Sequence, residues 1–99
     1  MAGMPVQFTS SDRGVRSGQI TSVDGTGVAL STAGIGCVWV TVQNDILNTV
    51  NIVVGGSLAT AYFVLSPGNS HKFYTGKVDN VFVKSASGTA LKVNWLAVV

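Results

Sequence analysis

His71 is the single histidine of the chain, and its carboxylate side chains are Asp12, Asp24, Asp45 and Asp79, with no glutamate anywhere. These residues and Cys37 are the stock from which acid–base, nucleophilic or metal chemistry would have to be built. A general base needs a nucleophile and an orienting partner within hydrogen-bond reach. Ser70 adjoins His71, but neighbours on a strand point to opposite faces, and no G-x-S-x-G pattern sets a serine on an elbow. The aspartates are widely spaced, each beside a turn residue, where a carboxylate commonly bonds the local backbone. No calcium loop of the D-x-[DN]-x-[DN]-G kind is present. A glycosidase would want two facing carboxylates, and only distant loop aspartates are on offer. Gly34-Ile-Gly36 and Gly55-Gly56 precede no helix, so they read as turn glycines and not as a phosphate cradle. The expectation is a protein that is not an enzyme, with no catalytic, cofactor-binding or metal-binding residues and no cofactor.

Two residue sets leave room for binding. Cys37 is the only cysteine, which rules out an intrachain disulfide and a thiolate zinc site. Its apolar surroundings, Ile35-Gly-Cys-Val-Trp-Val-Thr-Val42, predict a buried, inert thiol. Trp39, Trp95, Tyr62 and Phe63 could form a platform on which sugars stack. Core or subunit interface is the stronger reading, because aromatic side chains dominate burial in a small domain.

The elements that must position these residues are strands. β-Branched residues prevail and no window carries a capped 3.6-residue apolar period, while turn signals recur about every ten residues. Residues 4–10 alternate weakly, and Pro5 restricts them to an edge or an arm. Residues 15–23 predict a short polar edge strand with Ile20 and Val23 facing inward, and Asp24-Gly25 a tight turn before a strand over 26–30. Residues 37–43 form the strongest strand: Val38, Val40 and Val42 share one face and Cys37, Trp39 and Thr41 the other, as in a central strand. Further strands follow over 50–54, 62–65, 71–74, 81–84 and 91–96, with Ser66-Pro-Gly-Asn69 a clear turn. The fold expected is all-β, a small antiparallel β-sandwich or jelly roll of eight to nine short strands with no significant helix. An immunoglobulin domain is disfavoured by the missing Cys…Trp…Cys spacing.

The 99 residues suit one domain, divided as an N-terminal arm over 1–20, extended or touching another subunit, and the sandwich over 21–99. Charged residues are only 10 % of the chain, against roughly 25 % in ordinary globular proteins. So few charges leave a weakly hydrated surface, and burial against neighbouring subunits is the simplest explanation. A net charge of +2 from scattered cations argues against nucleic acid. No segment approaches the roughly 18 apolar residues of a membrane span. The opening Met1-Ala-Gly-Met-Pro-Val6 lacks the regions of a secretory signal, so synthesis in the cytoplasm is expected.

From about Val23 onward the chain resembles a group of small phage virion proteins. The likeness rests on Val38-Trp-Val-Thr-Val-Gln-Asn44, on Val53-Val-Gly-Gly56, on the turn Leu65-Ser-Pro-Gly-Asn-Ser70, and on Val81-Phe-Val-Lys-Ser-Ala-Ser-Gly-Thr89 before a hydrophobic last strand. The resemblance implies a structural virion protein, foremost a capsid decoration (cement) protein that binds between major capsid subunits. A homo-oligomer, commonly a trimer, is implied with it, and a place in the virion after synthesis in the host cytoplasm. A tail or head-fibre subunit is the first alternative. A small carbohydrate-binding module using Trp39 or Trp95 is the second.

Overall fold

The computed structural model describes residues 14–56, 63–88 and 90–99. Among the described residues eight strands run in chain order: β1 (Val15–Val23), β2 (Val28–Ala29), β3 (Trp39–Asn44), β4 (Ile52–Gly55), β5 (Phe63–Leu65), β6 (Ser70–Phe73), β7 (Phe82–Ser85) and β8 (Leu91–Val98). They form two antiparallel sheets, ordered β1-β8-β3-β6 and β2-β7-β4-β5. Among the described residues the only helical piece is a 3-10 turn at Val78–Asn80, and no helix is long and apolar enough to cross a membrane. The expected all-β sandwich is the architecture found, and its strand order is that of an eight-stranded jelly roll.

The core follows from period-2 alternation. Val40 and Val42 of β3 and Leu91, Val93, Trp95 and Ala97 of β8 point inward from one sheet, facing Ile52, Val54 and Val83 of the other. Eight of the fourteen buried apolar residues are valines, counting Val23, Val40, Val42, Val54, Val78, Val81, Val83 and Val93. Stiff β-branched side chains suit a pleated inner face. Each contributes on the order of 1.5–3 kcal/mol when fully buried. Trp95, 8 % exposed, is the one aromatic among them.

Only β4 and β5, of all consecutive strands, pair with each other. Every other connection carries the chain from one sheet to the opposite one. Asp24-Gly25 does turn the chain, with the Thr26 amide donating to Asp24 Oδ1 at 2.8 Å, but the turn joins β1 to a strand of the facing sheet and closes no hairpin. Val38 also departs from expectation. It lies just before β3, beyond the end of the core, and is 61 % exposed where Val40 and Val42 are buried.

The expected arm over 1–20 overlaps β1. Residues 15–20 are paired with β8 of the same chain, in register from Val15 opposite Val98 to Ile20 opposite Val93, and residues 1–13 lie outside the described residues. A bulge between Ile20 and Val23, with Ser22 at φ 61°, bends the far end of this strand.

Candidate functional site

The outer face of β1-β8-β3-β6 carries the densest array of polar side chains, and it is assembled by register. Gln19, Asn94, Gln43 and Ser70 stand opposite one another on four successive strands. Gln19 Nε2 donates to Asn94 Oδ1 at 2.8 Å. Asn94 Nδ2 in turn donates to Gln43 Oε1 and to Asp45 Oδ2, both at 3.2 Å. The next row, Ser17, Leu96, Thr41 and Lys72, adds hydroxyls and one apolar side chain. Between the rows lies an open groove of about 390 Å³, bordered by Ser17, Gly18, Thr41, Gln43, Ser70, Asn94, Trp95 and Leu96 with no formal charge among them. Hydroxyls and amides that both donate and accept, beside an apolar patch, match a neutral polyhydroxylated ligand better than an ionic one.

The third row is apolar: Val15, Val98 and Trp39. Lys72 places its ammonium 4.3 Å from the centre of a Trp39 ring and 5.9 Å from that of Tyr74, a cation–π arrangement that covers the indole. Tyr74 itself is 77 % exposed. The two tryptophans thus take different places. Trp95 is core and also borders the groove beside Gly18, and Trp39 is half-buried under a lysine. Tyr62 lies outside the described residues.

Phe63 and His71 meet at one lateral edge of the sandwich. Their rings stack at 4.1 Å, and Phe73 sets its edge against His71 at 4.8 Å and against Phe63 at 6.0 Å. Beside them Val64 points outward and is exposed. His71 is therefore a packing residue in a ring cluster, with no serine or carboxylate among its described contacts.

At the end of the sandwich that holds the β3–β4 and β5–β6 connections, Ile46 and Leu47 stand in water, the latter 81 % exposed. Their loop is held by side-chain hydrogen bonds. Asn44, 0 % exposed, donates from Nδ2 to the carbonyls of Leu65 at 2.9 Å and Val50 at 3.1 Å. Its Oδ1 accepts from Asn48 Nδ2 at 2.6 Å. The Asn48 amide also bonds both backbone groups of Lys92, at 2.6 and 3.2 Å, continuing the ladder where β3 stops. Asp45 Oδ1 accepts from the Leu47 amide at 2.9 Å. That bond first, then the one from Asn94, holds the Asp45 carboxyl below its usual range.

Asp24 and Asp45 each bond a backbone amide two residues on, as turn aspartates do. Asp79 instead clamps a distant loop, accepting from the Gly34 and Ile35 amides at 2.9 and 3.1 Å. Asp12 lies outside the described residues. The same loop pair holds Cys37, which is half-buried, less so than expected, and donates to the Thr75 carbonyl at 3.3 Å. Burial and the nearby Asp79 charge push its thiol up from the ordinary value. Among the described residues no three His, Cys, Asp or Glu side chains gather as a metal site.

The amide row escaped sequence reasoning because its members come from four strands that are far apart in the chain. Comparison with family models, with curated proteins and with solved structures finds no match.

Proposed function

We propose that this chain is a structural subunit that works by assembly, and that its foremost role is decoration of a phage capsid as a cement protein. The observation that carries this reading is the placement of uncharged apolar side chains in water on a sandwich whose core is already full: Ile46 and Leu47 at one end, Val64 on a lateral strand, Val15 and Tyr74 near the other end. Such side chains act as anchors when a partner covers them. The partners in this reading are further copies of the chain and the major capsid protein, with the virion as its location. The resemblance over residues 23–99 supplies the phage context, and a tail or head-fibre subunit would use the same surfaces.

The test is co-sedimentation of the purified chain with undecorated phage heads. Binding is expected, with its loss in the double variant Leu47→Ser/Val64→Ser while the far-ultraviolet spectrum stays unchanged. Truncation should stop at residue 12, because Val15–Val23 is a strand of the sandwich. Failure of the chain to bind heads, with labelled antibody finding it on tails or fibres instead, would move the role there.

The neutral groove favours a second reading, a small saccharide-binding module. That reading now rests on Gln43 and Asn94 and not on a tryptophan platform. Titration with neutral oligosaccharides, followed by amide chemical shifts, would place shifts on β3 and β8. Gln43→Ala should abolish them.

A further inference from the structure

We propose that β1 is the self-association edge of this protein: two copies pair β1 against β1 about a two-fold axis, joining their sheets into one of eight strands. The inference stands on strand geometry and is independent of any virion role.

Of the strands that border the two sheets, β2 has two residues, β5 three and β6 four, whereas β1 has nine. Among the described residues β1 pairs on one side only, with β8. The Val99 amide donates to the Gly14 carbonyl at 3.2 Å, which fixes the direction of every group that follows. Gly14, Arg16, Gly18 and Ile20 turn their N–H and C=O toward β8. Val15, Ser17 and Gln19 therefore turn theirs to the open side. Six aligned donors and acceptors on a straight stretch, ended by the bulge at Ser22, form a template for another strand.

The sequence of this stretch is complementary to itself. Centred on Ser17, an antiparallel pair sets Val15 opposite Gln19 of the second copy, Ser17 opposite Ser17, and Arg16 opposite Gly18. Arg16, the one charged residue of the strand, has no like charge directly opposite it, and the two copies of Arg16 are diagonal neighbours on one face. Gly18 also leaves a gap of the right kind. Its missing side chain is replaced by the Trp95 indole, which approaches to 2.8 Å of where a Cβ would sit. Arg16 of the second copy, lying across Gly18, can set its guanidinium beside that indole, the geometry that favours a cation on an aromatic ring. Natural sheets guard exposed edges with proline, lysine or inward charges. Residues 15–20 carry no proline and no lysine, and their one inward-face charge is Arg16, opposite Ala97 of β8.

The experiment uses the full chain. Light scattering should give twice the chain mass. Ser17→Pro should be monomeric and melt where the wild type melts once diluted to monomer, because the N–H it removes faces away from β8. Arg16→Pro removes an N–H that faces β8, and should lower the melting temperature instead. Ser17→Cys, in a Cys37→Ser background, should oxidise to a covalent dimer, since directly opposed residues lie about 5.5 Å apart at Cα, within disulfide reach. A wild-type monomer at all concentrations would overturn the proposal, as would a dimer that survives Ser17→Pro. A dimer lost in Ser17→Pro without any cross-link through Ser17→Cys would also overturn it. That outcome would assign the edge to another segment, residues 1–13 included.

Discussion

The two lateral edges of this sandwich are closed by opposite means. At the β5/β6 edge the strands are short, joined by the Ser66–Asn69 turn, and sealed by three partly exposed rings, Phe63, His71 and Phe73. At the β1/β2 edge a single buried indole, Trp95, reaches from β8 across Gly18, and the long strand outside it has no second partner among the described residues. One edge is capped by side chains and presents little backbone. The other is filled from within and presents mostly backbone. Capping by rings stabilises the monomer and leaves an apolar surface, whereas filling from within leaves hydrogen-bonding groups for a partner.

Substitutions should separate the two mechanisms. Trp95→Ala should cost the most, about 3–5 kcal/mol in denaturant unfolding, because nothing else in a valine core can fill its volume. Asn44→Ala should cost about 2–4 kcal/mol, since it strands the buried Leu65 carbonyl that ties β5 to β3. If Asn44→Ala leaves β5 protected against amide exchange, the β4 ladder and the rings hold that edge without Asn44. Gly18→Ala should cost about 1–3 kcal/mol, against the usual gain from replacing a strand glycine, because the new methyl collides with the indole. Phe63→Ala should cost only about 1 kcal/mol, its ring being 53 % exposed and its stacking worth little more. A larger loss there than at Gly18 would reverse the ranking of the edges. The smallest effect concerns pH. With the Cys37 thiol raised, its contribution to stability holds below the thiol's ordinary range and is lost as pH rises through the raised value. Alkylation of native protein near pH 8 should accordingly be slower than that of the unfolded chain.

Much of this contrast could be read from the chain and part could not. Alternation sorts Val40 and Val42 from Trp39 and Thr41, but with both faces of β3 apolar it does not say which turns inward, and Trp95 is left between core and binding platform. The Ser66–Asn69 turn carries its own chemistry. Asp24-Gly25 carries similar chemistry, yet it serves a crossing between sheets, because a turn sequence specifies local backbone and not which strand comes next beside it. Val38 obeys the same alternation as Val40, but it sits past the point where the facing sheet ends, a boundary set by tertiary packing. The amide row and the Asp79 clamp depend on which distant strands and loops become neighbours. No local pattern encodes that.

The interleaving of the strands also bears on synthesis. β1 has its described partner in β8, made about seventy residues later and the last of the described strands, and β3 likewise waits for β6 and β8. A ribosome must therefore release the chain as far as β8 before the first sheet can form. Loop closure across such separations slows folding to the millisecond-to-second range typical of non-local β topologies. In the interval β1 is unpaired along both sides, and the nascent chain is most exposed to chaperones or to wrong partners. A premature stop before Leu91 would leave three strands of one sheet without the strand that joins β1 to β3, so a truncated product should be cleared and not accumulate.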